Sequence, residues 1–214
     1  MNKLLSIVFL ALMAAACQQT QKQEDTAPEA DPNAINCEGI GPVKLAYSYA
    51  ALDSAVGASN LENGTAEVDG QQVQITKVFP NAAEEITVYW AESQEPYQTI
   101  TKIAVANNFG PYQTSEGLRV GSTLSEMKEL NNFMPVTMTN FYNSVDGFAT
   151  ILGFNGGDIE TNNPCIGGKL DITKQRGVDV RTLDEIKSET ELKSSHKLFN
   201  TIDVEVVELS ISAK

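Results

Sequence analysis

Gly117-Leu118-Arg119-Val120-Gly121-Ser122-Thr123-Leu124-Ser125-Glu126-Met127-Lys128-Glu129-Leu130 is the stretch from which the fold can be read. Two glycines bound a tight lead-in, and a short amphipathic helix follows. Thr123 suits an N-cap and Glu126 stands three residues on, so the pair can close a capping box. Leu124, Met127 and Leu130 recur at spacing three and would line one apolar face. The segment has no histidine or cysteine, and its carboxylates sit where capping and solvation account for them. It is an element of construction rather than of chemistry.

A second stretch runs parallel to it. Val43 to Leu52 aligns without a gap against Leu118 to Met127: apolar, basic, apolar, then a hydroxyl residue placed to cap a helix, Ser48 or Thr123. The apolar pairs Tyr49 with Leu52 and Leu124 with Met127 follow at spacing three. Strand-like sequence follows both copies, which predicts two related helix-plus-sheet units in tandem, residues 36–107 and 108–214.

In the first unit, Asn60 to Asn63 reads as a turn. Thr65 to Val68 and Val73 to Phe79 read as a hairpin closed by Asp69-Gly70, Ile86 to Trp90 as an alternating half-buried strand, and Ile100 to Val105 as its neighbour. In the second, Val136 to Phe141, Phe148 to Phe154 and Lys169 to Ile172 are strand candidates, separated by runs rich in Gly and Asn that read as turns. Thr182 and Glu185 suggest another capping box on a helix reaching about Lys193. Thr201 to Ser212 reads as a closing strand whose apolar phase flips at Val206-Val207, as a bulge would make it do. The fold class is α+β: short helices packed on antiparallel sheet.

The N-terminus carries an address. Lys3, the apolar run Leu4 to Met13, and Ala14-Ala15-Ala16-Cys17 describe an export signal. With its cysteine, residues 1–17 resemble a bacterial lipoprotein signal, which implies cleavage after residue 16 and acylation of Cys17. Several acyl chains hold a protein to a membrane firmly. Gln18 and Gln19 stand where that family places an inner-membrane retention aspartate. The resemblance therefore implies the outer membrane, on its periplasmic or its surface-facing side. Residues 17–35 are polar and aperiodic, a disordered tether.

The formal net charge is −13, and the basic residues are dispersed, which argues against a nucleic-acid partner. With Cys17 assigned to lipid, Cys37 and Cys165 remain. In an oxidising compartment they can pair, stapling the start of the domain to its second half; two buried thiols, or a free pair, are the alternatives. The cysteines and the lone His196 lack zinc-site spacing, and no cofactor is called for. Gly156-Gly157 and Gly167-Gly168 lack the phosphate-loop pattern. Asp158 and Glu160 could offer oxygens to calcium, without the spacing of an EF-hand loop; solvated loop carboxylates are the simpler reading. Nothing marks a catalytic triad, and His196 after Ser194 and Ser195 reads as exposed. Tyr97, Tyr112 and Tyr142 lie beside turns and are the aromatic candidates for an exposed recognition surface.

Gly117, Gly121, Thr123, Glu126, Met127 and Leu130, with the hairpin after them, resemble the unit of the small lipoproteins of the outer-membrane barrel-assembly machinery and, in tandem, of the β-lactamase-inhibitory proteins. Where those helices commonly end in glycine and then proline, this chain has Asn131-Asn132-Phe133-Met134-Pro135. Taken with Ile166-Gly167-Gly168-Lys169-Leu170, the stretch also resembles a family of exported lipoproteins of the Bacteroidetes group. The resemblances imply a non-catalytic binding or assembly module with an envelope protein or glycan as partner. The competing expectation is an envelope hydrolase or glycan-active enzyme, which a deep pocket with converging ionisable groups would favour.

Overall fold

The computed structural model describes residues 31–68, 70–178 and 180–213. The export signal, Cys17 and most of the tether lie outside the described residues. Strands β1 (Ile35–Asn36), β2 (Gly39–Ile40) and β3 (Val43–Lys44) form a small antiparallel meander. Helix α1 (Tyr49–Val56) leads into β4 (Leu61–Val68), β5 (Gln71–Val78), β6 (Ile86–Trp90) and β7 (Ile100–Val105). Helix α2 (Leu124–Leu130) is followed by β8 (Thr137–Thr139), β9 (Ala149–Gly153), α3 (Asp158–Asn162), β10 (Ile166–Gln175), α4 (Val180–Lys187), β11 (Glu191–Lys193) and β12 (Ile202–Ser212). Nine strands make one antiparallel sheet in the order β11-β8-β9-β10-β12-β7-β6-β5-β4. The protein is therefore α+β, with short helices against antiparallel sheet. Among the described residues no helix is long and apolar enough to cross a membrane.

The order within the sheet repeats. A helix and then a four-strand meander occurs twice, as α1 with β4-β5-β6-β7 and as α2 with β8-β9-β10-β12, while β11 adds beside β8. The last strands of the two meanders meet antiparallel, Val105 opposite Leu209 and Lys102 opposite Ser212, as a two-fold axis between them requires. The aligned sequences share their conformation. Ser48 and Thr123 are extended N-caps, each accepting a bond from the backbone amide three residues on. The amide of Tyr47 donates to the Lys44 carbonyl and that of Ser122 to the Arg119 carbonyl, both at 3.1 Å. Val43 and Leu118, Leu52 and Met127 are all fully buried. One pattern of apolar positions and one cap thus drive the same local structure twice.

Thr123 and Glu126 form the reciprocal capping box, and Gly117 and Gly121 take positive φ, 96° and 88°, on the two sides of the lead-in. Strand β12 pairs Glu208 with Lys169 but Val206 with Leu170, so Val207 is the extra residue where the apolar phase flips. Cys37 and Cys165 stand at disulfide distance, with sulfurs 2.06 Å and Cα atoms 5.5 Å apart.

Three expectations need correction. Asn60 to Asn63 is not simply a turn, because β4 begins at Leu61 and all eight of its residues pair with β5. The late helix starts at Val180 and stops at Lys187, and Glu191–Lys193 is a strand against β8. The buried Asn140 stops it, its amide donating to the carbonyls of Ile186 (2.7 Å) and Glu189 (2.8 Å). The Gly- and Asn-rich run after β9 hides a helical turn, α3.

Candidate binding surface

Helix α2 ends on Asn131, a fully buried polar residue. Its side-chain amide donates to the carbonyls of Phe154 (2.7 Å) and Met134 (3.1 Å), and its oxygen accepts from the amide of Ile159 (3.3 Å). Ile159 lies in the first turn of α3, whose own N-cap position is Gly157 and has no side chain to cap with. Asn131 supplies that cap from outside. A Cβ on Gly157 would come within 2.1 Å of the Asn131 oxygen, so the glycine makes room for it. One side chain therefore closes α2, opens α3 and ties β9 to both.

The turn fastened this way has an unusual backbone. Asn132 and Phe133 both adopt left-handed conformations, φ 53° and 59°, without being glycine. For a phenylalanine this costs roughly 1–2 kcal/mol, and such strain persists only where surrounding bonds hold it. The amide of Phe133 bonds the Lys128 carbonyl at 2.7 Å and that of Met134 bonds the Asn131 carbonyl at 3.0 Å. The product is a rigid turn presenting Phe133, 72% exposed, and Met134, 41% exposed, next to each other.

A second surface is an open cleft of about 510 Å³ between residues 81–87 and 106–109. Phe109, 83% exposed, stands on its rim. The only ionisable side chain in its lining is Glu85. Partial burial raises the Glu85 pKa, but the Asn81 amide (2.8 Å) and the Lys77 ammonium (3.0 Å) outweigh it and hold the carboxyl below its ordinary value. A carboxylate so paired is poorly placed for proton transfer at neutral pH.

The aromatic candidates fare differently from expectation. Tyr97 is only 7% exposed: its ring stacks on Trp90 with centroids 5.4 Å apart, and its carbonyl accepts from the Tyr49 amide at the start of α1. Tyr112 is 5% exposed, its hydroxyl donates to the Glu84 carbonyl, and burial, with the Glu84 charge adding, pushes its pKa up to about 12. Tyr142 is half-buried, and its hydroxyl is enclosed without a hydrogen-bond partner. Being beside a turn in sequence does not keep a ring out of the core when the turn itself packs on the sheet. The exposed aromatic residues that replace these tyrosines, Phe109 and Phe133, gave one signal in the sequence: each follows a pair of asparagines, a residue type that favours turns.

Trp90 anchors a polar chain that runs from the core to the surface. Its indole donates to the Thr76 hydroxyl, which donates to the Asn63 oxygen, each at 2.8 Å. Glu160 accepts from the Gly156 amide at 2.8 Å while Asp158 is exposed, and among the described residues no three His, Cys, Asp or Glu side chains converge. His196 is partly buried and uses Nδ1 to accept from the Leu198 amide at the start of a short 3-10 turn, which corrects the expectation of an exposed ring.

No protein-family model matches the chain, and no curated protein matches it. Among solved structures, the crystal structure of the uncharacterized protein yfeY from Escherichia coli is similar, with 15% identity, coverage of 84% of this chain and 99% of that one, and a TM-score of 0.49.

Proposed function

We propose that the chain is a non-catalytic cell-envelope lipoprotein, acylated at Cys17 and held at the outer membrane, whose two tandem units (residues 36–107 and 108–214) serve as a binding or assembly module for another envelope protein. The observation that carries this reading is the strained, rigid Phe133-Met134 turn. The left-handed backbone closes the C-terminus of α2, but the apolar pair it presents, Phe133 at 72% and Met134 at 41% exposed, is not consumed by the core. A pre-positioned apolar pair is what a protein interface uses as an anchor, since little ordering remains to be done on binding. The likeness of the α2 segment to assembly lipoproteins and inhibitory proteins points the same way.

A photo-crosslinking residue at Phe133, in intact envelopes, tests the proposal. The expected result is one discrete adduct, lost when Met134→Asp is added and absent when the probe sits at the still more exposed Val145. Diffuse labelling unaffected by Met134→Asp counts against a binding module. Fractionation tests the anchor: Cys17→Ala should move the protein from membrane to soluble fractions.

A further inference from the structure

The nine-stranded sheet ends in two very different edges. At one, β11 is three residues long, Glu191-Leu192-Lys193, with a charge at each end. At the other, β4 runs for eight residues, all paired in unbroken register with β5, and contains no lysine, arginine or proline. Short length, charges, bulges and proline are the devices that keep an edge strand from pairing further. The chain uses the first two at β11, whereas at β4 only Glu62 and Glu67 stand guard.

The bonding phase of β4 shows which groups are on offer. The amide of Phe79 donates to the Asn60 carbonyl, so the even-numbered residues of β4 occupy the hydrogen-bonded pairs with β5. The backbone N–H and C=O groups of Asn63, Thr65 and Glu67 therefore point away from the sheet, and these residues are exposed, whereas the Leu61 amide already donates to the Ala58 carbonyl. Strand β6 pairs only with Ile75 to Val78, so the stretch of β4 from Thr65 to Val68 projects beyond the sheet with its partner Gln71–Gln74 as a two-stranded arm. Such a ribbon is marginal by itself and gains from a third strand.

Charge selects the occupant. Glu62 and Glu67, five residues apart, fall on opposite faces of the strand because side chains alternate. Both stand on the open edge strand of an acidic chain, so a basic partner segment gains a favourable cross-strand charge pair at each of them, which a second copy of β4, having only glutamates to offer, does not supply. The acidic body, net −13, opposes self-pairing further. Resting on the binding-module reading, we propose that β4 is a docking edge that takes up an extended segment of a partner protein as a tenth strand. That segment carries lysine or arginine at two positions five residues apart, matching Glu62 and Glu67.

The test uses the full chain in detergent with the octapeptide Thr-Lys-Val-Thr-Val-Thr-Lys-Val, a twin with glutamate replacing both lysines, and a third peptide N-methylated at alternate residues. In hydrogen exchange, the lysine peptide should protect the amides of Asn63, Thr65 and Glu67 while those of Leu61, Glu62 and Gly64, already bonded within the fold, change little. The glutamate twin should bind at least about tenfold more weakly, and N-methylation on the bonding edge should abolish binding. Thr65→Pro removes an outward N–H, a place where an edge strand accepts proline, and should eliminate binding without loss of the fold. Protection elsewhere, equal binding of the glutamate twin, or survival of binding after N-methylation overturns the proposal, and so does dimerisation through β4 in sedimentation. Because the peptide test does not involve Phe133, its failure alongside a discrete Phe133 adduct removes the docking edge and leaves the binding-module reading standing.

Discussion

Asn131→Ala would remove the side chain that joins α2, α3 and β9. Three backbone groups lose their partners. The carbonyl of Phe154 and the amide of Ile159 are buried, and each orphaned buried group costs about 1–3 kcal/mol. The carbonyl of Met134 is only part-buried and water can replace the lost donor, so it adds little. The expected loss is about 3 kcal/mol, read as a lowered urea midpoint at unchanged slope. Asn131→Asp separates bonding from packing, because the volume is kept and both donated bonds vanish. Its carboxyl would face two carbonyl oxygens in the interior, which raises its folded pKa above the unfolded value. The variant should then lose stability as pH rises from about 4 toward neutrality, a dependence that Asn131→Ala lacks. A loss under about 1 kcal/mol for Asn131→Ala would refute the view that this side chain closes both helices.

Gly157→Ser installs a favoured N-cap residue on α3, yet it should destabilise by urea titration, since its Cβ meets the Asn131 oxygen at 2.1 Å. Phe133→Gly should raise stability by roughly 0.5–1 kcal/mol while abolishing the envelope adduct, because the left-handed strain disappears with a side chain that supports nothing inside; a clear loss of stability would instead make Phe133 a packing residue. Ser48→Ala and Thr123→Ala should each cost about 1 kcal/mol, and unequal losses beyond twofold would tell against the repeat. Asp146 is held at a pKa of about 2, chiefly by the hydrogen bond from Lys169 (2.7 Å) and next by that from Ser144. Its folded pKa lies below its unfolded one, so the pair stabilises above about pH 4 and that contribution fades as pH falls toward 2; Lys169→Ala should bring the Asp146 titration, followed by NMR, back to the ordinary range.

The local signals in the sequence that correspond to real structure are those in which one short window holds the whole cause. The capping box at Thr123 and Glu126 needs only four residues, and the phase flip in β12 is visible in the order of its side chains. The parallel between Val43–Leu52 and Leu118–Met127 has counterparts in structure at its ends and at the cap: Val43, Leu118, Leu52 and Met127 are buried, and Ser48 and Thr123 each cap a helix. The misses have non-local causes. The late helix ends where it does because Asn140, some 46 residues away, claims its carbonyls. The helical turn α3 exists because Asn131 caps it from another element. Tyr97 is buried because Trp90 offers a stacking face, and Phe133 is exposed because a bonded turn holds it there. Exposure is a property of the assembled sheet, which a window of sequence does not contain.

The meeting of β7 with β12 also sets an order of events. On the side away from β6, residues 102–105 find their neighbours in residues 209–212, over a hundred positions later. A chain emerging from its N-terminus can close the first meander early, but β7 then keeps an open edge until β12 arrives. Loop closure over a hundred residues is slow compared with hairpin formation. The molecule therefore passes through a half-assembled stage in which one edge of the largely apolar strand Ile100 to Val105 is open to pairing with a stranger.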